Sequence, residues 1–367
     1  MESGIIQKHG RIGAVIVAGG MSSRMKDFKP LMQVGDTTMI ENVINNFRSL
    51  GIVDIVVVTG YKSEEIKKKL SDCNVSFVVN KQYEKNHMFD SICLGIRSLA
   101  PAVEMAFLSP ADSPFVQRFT LMKMVEEIEE GKHCLIQPSF DGKDGHPLLL
   151  TKKALSHVLK HDGTMGLQGV ISKMGNDFMN MSVVDPGIIL DADTANDYLK
   201  LIEYNESRKC PSMELCKKIQ DYFHMPDEVM AHSSKVAIVA SDLSRLLCKK
   251  GIKLNTNVIL AAGMLHDIEG GKPEHARKGG ELLSHMGYEQ VSQIVREHMV
   301  LDSISDVPTE KEVVFLADKM VKGEKLVNIE ERFAAKEEKY KDNQAALQSI
   351  KLRKKQAYEI YHAIFGL

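Results

Sequence analysis

Residues 12–29 have the sequence Ile-Gly-Ala-Val-Ile-Val-Ala-Gly-Gly-Met-Ser-Ser-Arg-Met-Lys-Asp-Phe-Lys. The β-branched run at residues 15–17 has no alternating polar positions, which is typical of a strand buried on both faces of a parallel sheet. Gly19 and Gly20 end this run, and glycine allows the backbone to turn sharply and to bring its N–H groups close to an anion. We therefore predict a buried strand that leads into a tight turn.

The loop after this strand combines hydroxyl groups with positive charge. Ser22, Ser23 and Arg24 follow the glycine pair. Lys29 precedes Pro30, which predicts a loop here instead of the first turn of a long helix. Hydroxyl donors, backbone N–H groups and two cations together suit a polyphosphate, although the spacing fits neither the P-loop nor the dinucleotide-binding fingerprint. A basic surface loop without a ligand is the alternative, and the two cations favour phosphate binding.

Length and charge limit the classes of function. A chain of 367 residues is long enough for two domains, each with its own core. The formal net charge of -2 provides no general attraction to nucleic acid or acidic membranes, and no apolar stretch approaches the ~20 residues that span a bilayer. The polar residues 1–11 do not resemble a signal peptide, and the six cysteines form no Cys-x-x-Cys pair. We expect a cytoplasmic protein with no nucleic-acid or membrane partner.

Strand and helix signals alternate through the first half of the chain. Thr38 and Glu41 form a capping box ahead of a helix whose apolar residues line one face. Further strands are predicted at residues 52–59, 75–79 and 105–108, and further helices at residues 63–70, 90–99 and 119–128. This alternation predicts a doubly wound α/β fold with a mostly parallel sheet, in which ligands bind beyond the carboxyl ends of the strands.

Two further segments place carboxylates near the predicted ligand site. Asp112 follows the apolar strand at residues 105–108 and stands between two prolines, so its backbone has little freedom. A hard cation such as Mg²⁺ needs a carboxylate beside the phosphates that it bridges. The alternative is that Asp112 caps the helix at residues 119–128. Asp191 and Asp193 supply further carboxylates ahead of another predicted helix.

The loop around residues 17–29 resembles the nucleotide-binding signature of the molybdenum cofactor nucleotidyltransferases, which belong to the wider sugar-nucleotide transferase superfamily. That signature runs Leu-Ala-Ala/Gly-Gly-x-Ser-x-Arg-Met-Gly-x-x-Lys. Lys26 stands where the signature has its last glycine. The positions that match are Val17, Ala18, Gly19, Gly20, Ser23, Arg24, Met25 and Lys29. In all, the resemblance extends over residues 12–202.

Two other segments carry the same resemblance. His87 replaces a glycine in a stretch that is similar to the family's Asn…Gly-Met-x-x-Ser-Leu-x-x-Gly. The positions retained there are Asn80, Met88, Ser91 and Gly95. The Gly-His-Pro at residues 145–147 resembles that of the cytidylyltransferase branch, so His146 would face the acceptor substrate. The Ala-Gly-Gly at residues 18–20 instead resembles the guanylyltransferase branch, and both CTP and GTP stay open as donors.

The resemblance implies a Mg²⁺-dependent transfer of a nucleotide from CTP or GTP to a phosphorylated acceptor, with molybdopterin as the expected acceptor. It implies that Arg24, Lys29 and Asp112 are catalytic, and that Mg²⁺ binds Asp112 together with Asp193 and Asp191. The implied nucleotide-binding residues are Ala18, Gly19, Gly20, Ser22, Ser23, Arg24, Lys29, Asn80 and Ser91. A molybdoenzyme or a cofactor chaperone is the expected protein partner.

The strand signal stops near residue 203, and only helix signals follow. A polar stretch at residues 205–211 that ends in proline predicts a linker. Helices are predicted at residues 212–223, 226–250, 256–267, 273–286, 289–299 and 309–320. We therefore divide the chain into a transferase-like domain at residues 11–204, a linker at 205–211, an all-α domain at 212–334 and a helical C-terminal extension at 335–367.

The helical half places several metal-ligand residue types on apolar helix faces or at the ends of apolar helices. These residues are His232, His266, Asp267, His275, His298 and Asp318. A single inward histidine is more often a satisfied core residue. Several buried polar groups each need a partner, and a metal cluster would satisfy them together. Independent structural roles are the alternative.

The order His, His-Asp, His, His, Asp over residues 226–333 resembles the signature of the HD phosphohydrolase superfamily. The spacing is similar to that of its dinuclear branch, which includes the bacterial diadenosine tetraphosphate hydrolases. The resemblance implies a first metal held by His232, His266, Asp267 and Asp318, and a second held by His275, His298 and the bridging Asp267. Nitrogen-rich ligation favours Fe or Mn over Mg²⁺. A mononuclear site is the alternative.

Together these observations predict a bifunctional enzyme, with a nucleotidyltransferase in the first half and a metal-dependent phosphohydrolase in an all-α HD-type second half. Two alternatives remain at this point. The acceptor of the transferase can be a sugar or polyol phosphate instead of molybdopterin. The helical half can bind a metal and a nucleotide as a sensor that does not turn its ligand over.

Overall fold

A computed structural model describes residues 11–20, 27–85 and 87–366 of the chain. The chain divides into two compact units, Met1–Glu206 and Ser207–Leu367. The first unit is an α/β sheet domain and the second is built of helices, which confirms the two predicted fold classes. Within the described residues, no helix has the length and apolar character needed to cross a lipid bilayer.

The first unit is built around one eight-stranded sheet. In chain order the strands of this unit are β1 (Arg11–Ala18), β2 (Gln33–Val34), β3 (Thr37–Thr38), β4 (Asp54–Thr59), β5 (Ser76–Val79), β6 (Val103–Pro110), β7 (Leu135–Phe140), β8 (Lys143–Asp144), β9 (Leu148–Thr151) and β10 (Phe178–Ser182). The strand order in the sheet is β10-β7-β9-β6-β1-β4-β5, β8 pairs with β7, and β2 and β3 form a separate hairpin.

Strand β1 lies at the centre of this sheet. It runs parallel to β4 on one side and to β6 on the other, and Ala14 stands opposite Ile55 and Phe107. Its apolar residues are almost completely buried, as expected for a strand covered on both faces. Strand β9 is antiparallel to its neighbours β6 and β7, so the sheet is mostly but not wholly parallel.

Helices cover the sheet, and the first four agree closely in their bounds with the predicted helices, whereas the helices at residues 152–160 and 166–174 were not predicted. In chain order they are α1 (Met39–Ser49), α2 (Ser63–Lys69), α3 (Met88–Arg97), α4 (Arg118–Glu129), α5 (Lys152–Lys160), α6 (Gly166–Met174) and α7 (Ala195–Ser207). The predicted capping box of α1 is confirmed, because the Thr38 N–H and hydroxyl both donate to Glu41 Oε2, at 2.8 and 2.6 Å. The segment at Pro30 forms only a single 3₁₀ turn, Lys29–Leu31.

The start of α4 is stabilised by an aspartate that the sequence analysis did not identify. Asp185 accepts hydrogen bonds from the Gln117 N–H and the Thr120 hydroxyl, both at 2.8 Å, and from the Gly187 N–H at 2.9 Å. Its carboxyl is fully buried, and burial raises its pKa to about 6 although the three hydrogen bonds oppose this. The alternative that Asp112 caps this helix is therefore wrong.

Asp185→Asn is expected to remove a pH-dependent part of the stability of the first unit. A carboxyl whose pKa is raised to about 6 by folding binds its proton more tightly in the folded chain, so the wild type gains about 1 kcal/mol from this group between pH 7 and pH 5. The amide of the variant cannot titrate. Thermal unfolding at several pH values should show a difference between the two proteins that grows toward pH 5, and a constant difference would contradict the raised pKa.

The second unit packs its helices around one central helix. In chain order the helices are α8 (Met213–Tyr222), α9 (Asp227–Lys249), α10 (Thr256–Leu265), α11 (His275–His285), α12 (Glu289–Glu297), α13 (Glu310–Lys319), α14 (Ile329–Lys339) and α15 (Gln344–Phe365). A short hairpin, β11 (Val321–Lys322) with β12 (Lys325–Leu326), follows α13. Helix α10 contacts α8, α9, α12 and α13.

The small residues of α10 allow this close packing. A Cβ atom at Gly263 would lie 2.7 Å from the Cα atom of Ala237 in α9, so a larger residue there would push the two helices apart. His266 and Asp267 directly follow this buried helix. The packing therefore fixes both side chains at the centre of the second unit.

The predicted domain boundaries fall differently with respect to the helices. Helix α7 ends at Ser207, inside the predicted linker at residues 205–211. Helix α14 spans the predicted boundary between residues 334 and 335. These boundaries stay predictions.

Candidate active sites

The carboxyl ends of β1, β4 and β6 meet at one edge of the sheet in the first unit. The loops that follow β1 and β4 approach so closely that a Cβ atom at Gly60 would lie 2.7 Å from the carbonyl oxygen of Gly19. A Cβ atom at Gly19 would lie 3.5 Å from the hydroxyl oxygen of Ser91, at the start of α3. This close packing leaves the backbone after β1 beside a small cavity.

That cavity brings together residues from several predicted motifs. Its volume is about 240 Å³, and its lining includes Ala18, Gly19, Gly20, Lys29, Ser91 and Asp112. The hydroxyl groups of Ser22 and Ser23 and the guanidinium of Arg24 lie outside the described residues, so their roles stay predictions. The structure thus places the glycine turn, a cation and a carboxylate around one space.

Lys29 lies between carboxylates that are far away in the sequence. Its Nζ donates a hydrogen bond to Asp193 Oδ1 at 2.7 Å and lies 3.5 Å from Asp112 Oδ2. Partial desolvation and the charges of Asp112 and Asp193 raise the pKa of Asp191, which places this residue in the same cluster. A divalent cation relieves such repulsion, and carboxylate oxygens are the ligands that Mg²⁺ prefers. The donor set therefore fits Mg²⁺.

Asn80 and Ser91 form a buried pair beside the cavity. Asn80 Nδ2 donates to Ser91 Oγ at 3.0 Å, and Asn80 Oδ1 accepts a hydrogen bond from the Gln82 N–H at 3.0 Å. Ser91 lines the cavity, whereas Asn80 fixes the turn after β5 and holds Ser91 in place. This geometry supports a positioning role for Asn80, and its predicted contact with a nucleotide stays a prediction.

His146 lies in the wall of a second cavity of the first unit. This cavity measures about 660 Å³ and adjoins the smaller one, because both are lined by Val17 and His87. Burial lowers the pKa of His146 against the opposing charge of Asp112, so the imidazole is neutral near pH 7. Its Nδ1 atom is buried and has no hydrogen-bond partner among the residues that the structure describes. The wall is otherwise mostly apolar, with Met88, Phe89, Leu108, Leu148, Met165 and Ile171.

Two polar residues of this wall were missed by the sequence analysis. Gln137 lies in β7 and Asp144 in β8, and both line the larger cavity. The position of Asp144, two residues before His146, is the sequence signal that could have identified it. Gln137 stands inside an apolar strand and gives no comparable signal.

Three histidines of the second unit are oriented by the backbone. The Nδ1 atoms of His232, His266 and His298 lie 3.0, 2.8 and 2.7 Å from backbone carbonyl oxygens. We assign a proton to each Nδ1, so that the Nε2 atoms of His266 and His298 each carry a lone pair that can bind a metal ion. Both of these Nε2 atoms are buried, and no described residue offers them a partner with hydrogen-bond geometry. A metal ion would remove the cost of leaving them without a partner.

Asp267 lies at the centre of this histidine cluster. Its Oδ1 lies 3.3 Å from His298 Nε2 and 3.4 Å from His275 Nε2. Its Oδ2 lies 3.5 Å from His266 Nε2. Asp267 therefore belongs to two groups of ligand atoms, each within 4.8 Å, one with His232 and His266 and the other with His275 and His298. The donor set fits two neighbouring divalent ions that share one carboxylate.

Asp318 extends the first of these groups. Its Oδ1 lies 3.2 Å from His232 Nε2 and 3.9 Å from His266 Nε2. Burial opposes ionisation of Asp318, but the ammonium of Lys319, which donates to Asp318 Oδ2 at 2.6 Å, holds the pKa of the carboxyl well below its usual range. The structure thus brings all six predicted ligands of the second unit into one cluster.

Basic residues that the sequence analysis did not identify line a cavity in front of this cluster. The cavity measures about 230 Å³, and besides the ligands its lining includes Arg332 and Lys336 of α14 and Arg353 of α15. Burial and the neighbouring charge of Arg332 lower the pKa of Lys336 to about 8. In the sequence these residues belong to a charged stretch that is typical of a solvated helix. Only the spacing of Arg332 and Lys336, one helical turn apart beside the buried Phe333, hints at a shared face.

Two parts of the chain match known families. Residues 14–178 match the MobA-like NTP transferase domain, and residues 229–322 match the HD domain. The chain contains a MobA-like NTP transferase domain followed by an HD domain. Both resemblances identified in the sequence are therefore confirmed. Membership of the nucleotidyltransferase family supports an enzymatic function for the NTP transferase domain. NTP transferases typically depend on Mg²⁺ and HD domains bind divalent metals, which agrees with the two donor sets.

Individual relatives share only part of this chain. The molybdenum cofactor cytidylyltransferase of Escherichia coli K12 is 25% identical over 191 residues, which are 51% of this chain and 94% of the relative. The bifunctional protein GlmU of Buchnera aphidicola is 27% identical over 143 residues, which are 38% of this chain and 30% of that protein. The crystal structure of Rv0371c from Mycobacterium tuberculosis superimposes with a TM-score of 0.47 and 20% identity, covering 53% of this chain and 98% of Rv0371c.

The boundaries of the matched HD domain separate the two sets of residues around its cavity. All six predicted metal ligands of the second unit lie within residues 229–322. Arg332, Lys336 and Arg353 lie beyond residue 322, on helices α14 and α15. The basic wall is therefore contributed by a part of the chain outside the matched HD domain.

Proposed function

We propose that the NTP transferase domain transfers a nucleotidyl group from CTP or GTP to a phosphorylated acceptor, and that this acceptor is molybdopterin. The observation that carries the proposal is the cluster of Lys29, Asp112 and Asp193 at the carboxyl edge of the sheet, where a 2.7 Å hydrogen bond joins residues of two distant segments. A nucleoside triphosphate needs a cation, a carboxylate-held metal and free backbone N–H groups at one place. The glycine turn and this cluster supply donors of each kind.

Each residue of the cluster has a role in the proposed reaction. Asp112, with Asp193 and Asp191, would hold Mg²⁺, which when bound would neutralise negative charge on the triphosphate. The ammonium of Lys29 would stabilise the charge that develops on the α-phosphate, and Arg24 would assist it. An oxygen of the acceptor phosphate forms a bond to the α-phosphorus. The bond from that phosphorus to the β-phosphate oxygen breaks, and pyrophosphate leaves with the electron pair.

The larger cavity supports a flat, weakly polar acceptor. Its volume of about 660 Å³ and its apolar lining, with Phe89, Met165 and Ile171, suit a ring system better than a polyol. A few polar groups lie in the same wall and can form hydrogen bonds with the edge of a ring; they belong to His146, Gln137 and Asp144. This favours molybdopterin over a sugar or polyol phosphate. The name of the Escherichia coli relative, a molybdenum cofactor cytidylyltransferase, points in the same direction.

A comparison of donors and acceptors tests this proposal. The purified chain should be assayed with CTP, GTP, ATP and UTP, each with molybdopterin, a sugar phosphate or a polyol phosphate. We expect kcat/KM to be at least about tenfold higher with molybdopterin, and with CTP or GTP as the donor. Product mass identifies the nucleotide that is transferred. Equal or faster transfer to the sugar or polyol phosphate would overturn the choice of acceptor.

We propose a second activity for the HD domain, the metal-dependent hydrolysis of a phosphate ester or anhydride. The supporting observation is the pair of buried Nε2 atoms of His266 and His298, which have no hydrogen-bond partner in the described parts of the chain. His232, His266, Asp267 and Asp318 would hold one divalent ion, and His275 and His298 with Asp267 a second. When bound, the two ions would lower the pKa of a water molecule and neutralise charge on a phosphoryl oxygen. Nitrogen-rich ligation favours Fe or Mn.

A further inference from the structure

Three cations face the ligand cluster of the HD domain from its C-terminal helices. Arg332 and Lys336 lie one turn apart on α14, and Arg353 lies on α15. All three line the same cavity as His232, Asp267 and the other ligands. Each is half-buried, so water screens their charges less than it would on an open surface.

Among the residues that the structure describes, Lys336 and Arg353 form no ion pair with a carboxylate, and Arg332 has Asp318 as its partner. Asp318 Oδ1 lies 3.6 Å from Arg332 Nη2, but the other oxygen of this carboxylate is already bound by Lys319 at 2.6 Å. Within the described part of the chain, the Nε atom of Arg332 is buried and has no hydrogen-bond partner. Arg353 Nε donates to a backbone carbonyl, that of Ser349, at 3.1 Å.

A neighbouring lysine of α15 forms ion pairs with carboxylates of α14, as expected for a cation with a structural role. Lys354 donates to Glu330 at 2.7 Å and to Glu337 at 3.1 Å. It is thus paired with α14 by two carboxylates, whereas Arg353, the adjacent residue, faces the cavity without a carboxylate partner among the described residues. Three half-buried cations beside a single carboxylate that a lysine already binds indicate a missing anion. Arginine is particularly suited to phosphate, because its guanidinium donates two parallel hydrogen bonds.

We propose that Arg332, Lys336 and Arg353 form a subsite for a second phosphate, so that the HD domain takes a ligand with a diphosphate group. One phosphate would lie at the histidine–aspartate cluster and the next one against the three cations. The cavity of about 230 Å³ has room for roughly eight water molecules, which suits a diphosphate and leaves a nucleoside outside. The proposal rests on the proposed phosphohydrolase function and narrows it to phosphate anhydrides.

Two sources supply the same chemical group. One is free pyrophosphate, which the proposed transfer reaction releases, and the other is the diphosphate of a nucleotide. In either case an oxygen of water forms a bond to one phosphorus, and the bond from that phosphorus to the bridging oxygen breaks. The bridging oxygen keeps the electron pair and takes a proton from the water. No reactant other than water is needed.

Binding of a diphosphate that cannot be hydrolysed tests the subsite directly. Methylenediphosphonate and inorganic phosphate should be titrated by calorimetry into the Mn²⁺-loaded full chain. The chain should carry Lys29→Ala, so that the NTP transferase site contributes little. We expect Lys336→Gln and Arg353→Gln each to weaken methylenediphosphonate binding at least about tenfold and phosphate binding less than about threefold. The Mn²⁺ content should not change. Lys355→Gln is the matched control, because Lys355 is exposed on α15, the helix of Arg353, and its substitution also removes one positive charge.

The outcomes separate this proposal from the function on which it rests. Unchanged methylenediphosphonate binding in both variants, at unchanged Mn²⁺ content, overturns the subsite. Hydrolysis of p-nitrophenyl phosphate by the wild type at a rate equal to that of pyrophosphate and ADP also overturns it, while the phosphohydrolase function stands. Tight, charge-dependent binding without hydrolysis of any substrate supports the subsite and removes the hydrolase. Faster hydrolysis of pyrophosphate than of ADP assigns the free anion as the source, and the reverse assigns the nucleotide.

Discussion

Lys29→Ala is expected to lower the rate of nucleotidyl transfer at least about a hundredfold, the usual effect of removing one group that stabilises developing charge. The ammonium of Lys29 lies within 3.5 Å of carboxylates from two other segments, Asp112 and Asp193. It is therefore held at the point where the proposed triphosphate would lie. The variant loses both this cation and the group that offsets the repulsion between the carboxylates. Release of pyrophosphate from CTP or GTP in the presence of the acceptor measures the effect.

A matched control separates loss of chemistry from loss of charge. Lys67→Ala removes a lysine of α2 that pairs with Glu64 at 2.8 Å, and it should leave transfer unchanged. Thermal unfolding checks that Lys29→Ala retains its fold. Hydrolysis by the HD domain should be the same in both variants. Transfer at the wild-type rate by Lys29→Ala would contradict the proposed role of Lys29 and, with it, the position of the transferase site.

The second large effect is expected when the centre of the histidine cluster is removed. Asp267→Ala should abolish binding of divalent metal in the HD domain and reduce hydrolysis at least about a thousandfold. The reason is that Asp267 contributes to both groups of ligand atoms, through distances of 3.3 Å to His298 and 3.5 Å to His266. His266→Ala should lose the metal of its own group. Metal analysis of the purified proteins gives a readout that does not depend on a substrate.

The control for this prediction is a histidine outside the cluster. His285→Ala replaces an exposed residue at the end of α11 and should retain metal and hydrolysis. Nucleotidyl transfer should persist in all three variants. If Asp267→Ala keeps its full metal content, Asp267 is not a ligand, and if it keeps full hydrolysis, the reaction does not take place at this cluster. Metal binding by the wild type without turnover of any phosphorylated substrate would favour the sensor alternative.

Local signals along the chain predicted many elements of the fold and most of the candidate site residues. The β-branched run of β1 and the capping box of Thr38 and Glu41 involve neighbouring residues only, and both are confirmed. The cluster of Lys29 with Asp193 joins residues 164 positions apart. Composition and spacing could not place them together, and only the resemblance to a family linked them. The confirmed families therefore contributed information that propensities do not contain.

The residues that the sequence did not reveal are all defined by contacts with distant parts of the chain. Asp185 caps α4 from 65 positions beyond Thr120, and nothing near that helix in the sequence predicts such a partner. Arg332 and Arg353 lie on helices rich in charge, where a cation turned toward a cavity has the same spacing as one turned toward water. Burial decides their function, and burial follows from the packing of α14 and α15. A sequence pattern that is charged all round contains no information on which side is covered.

The separate origins of the two walls of the HD cavity have a consequence for the diversity of such proteins. The histidines and aspartates belong to the part of the chain at residues 229–322, whereas the guanidinium groups come from helices added after it. Helices α14 and α15 can therefore differ between related proteins while the metal ligands at residues 229–322 are retained. Related chains that differ only after α13 would then share a reaction and select different molecules for it.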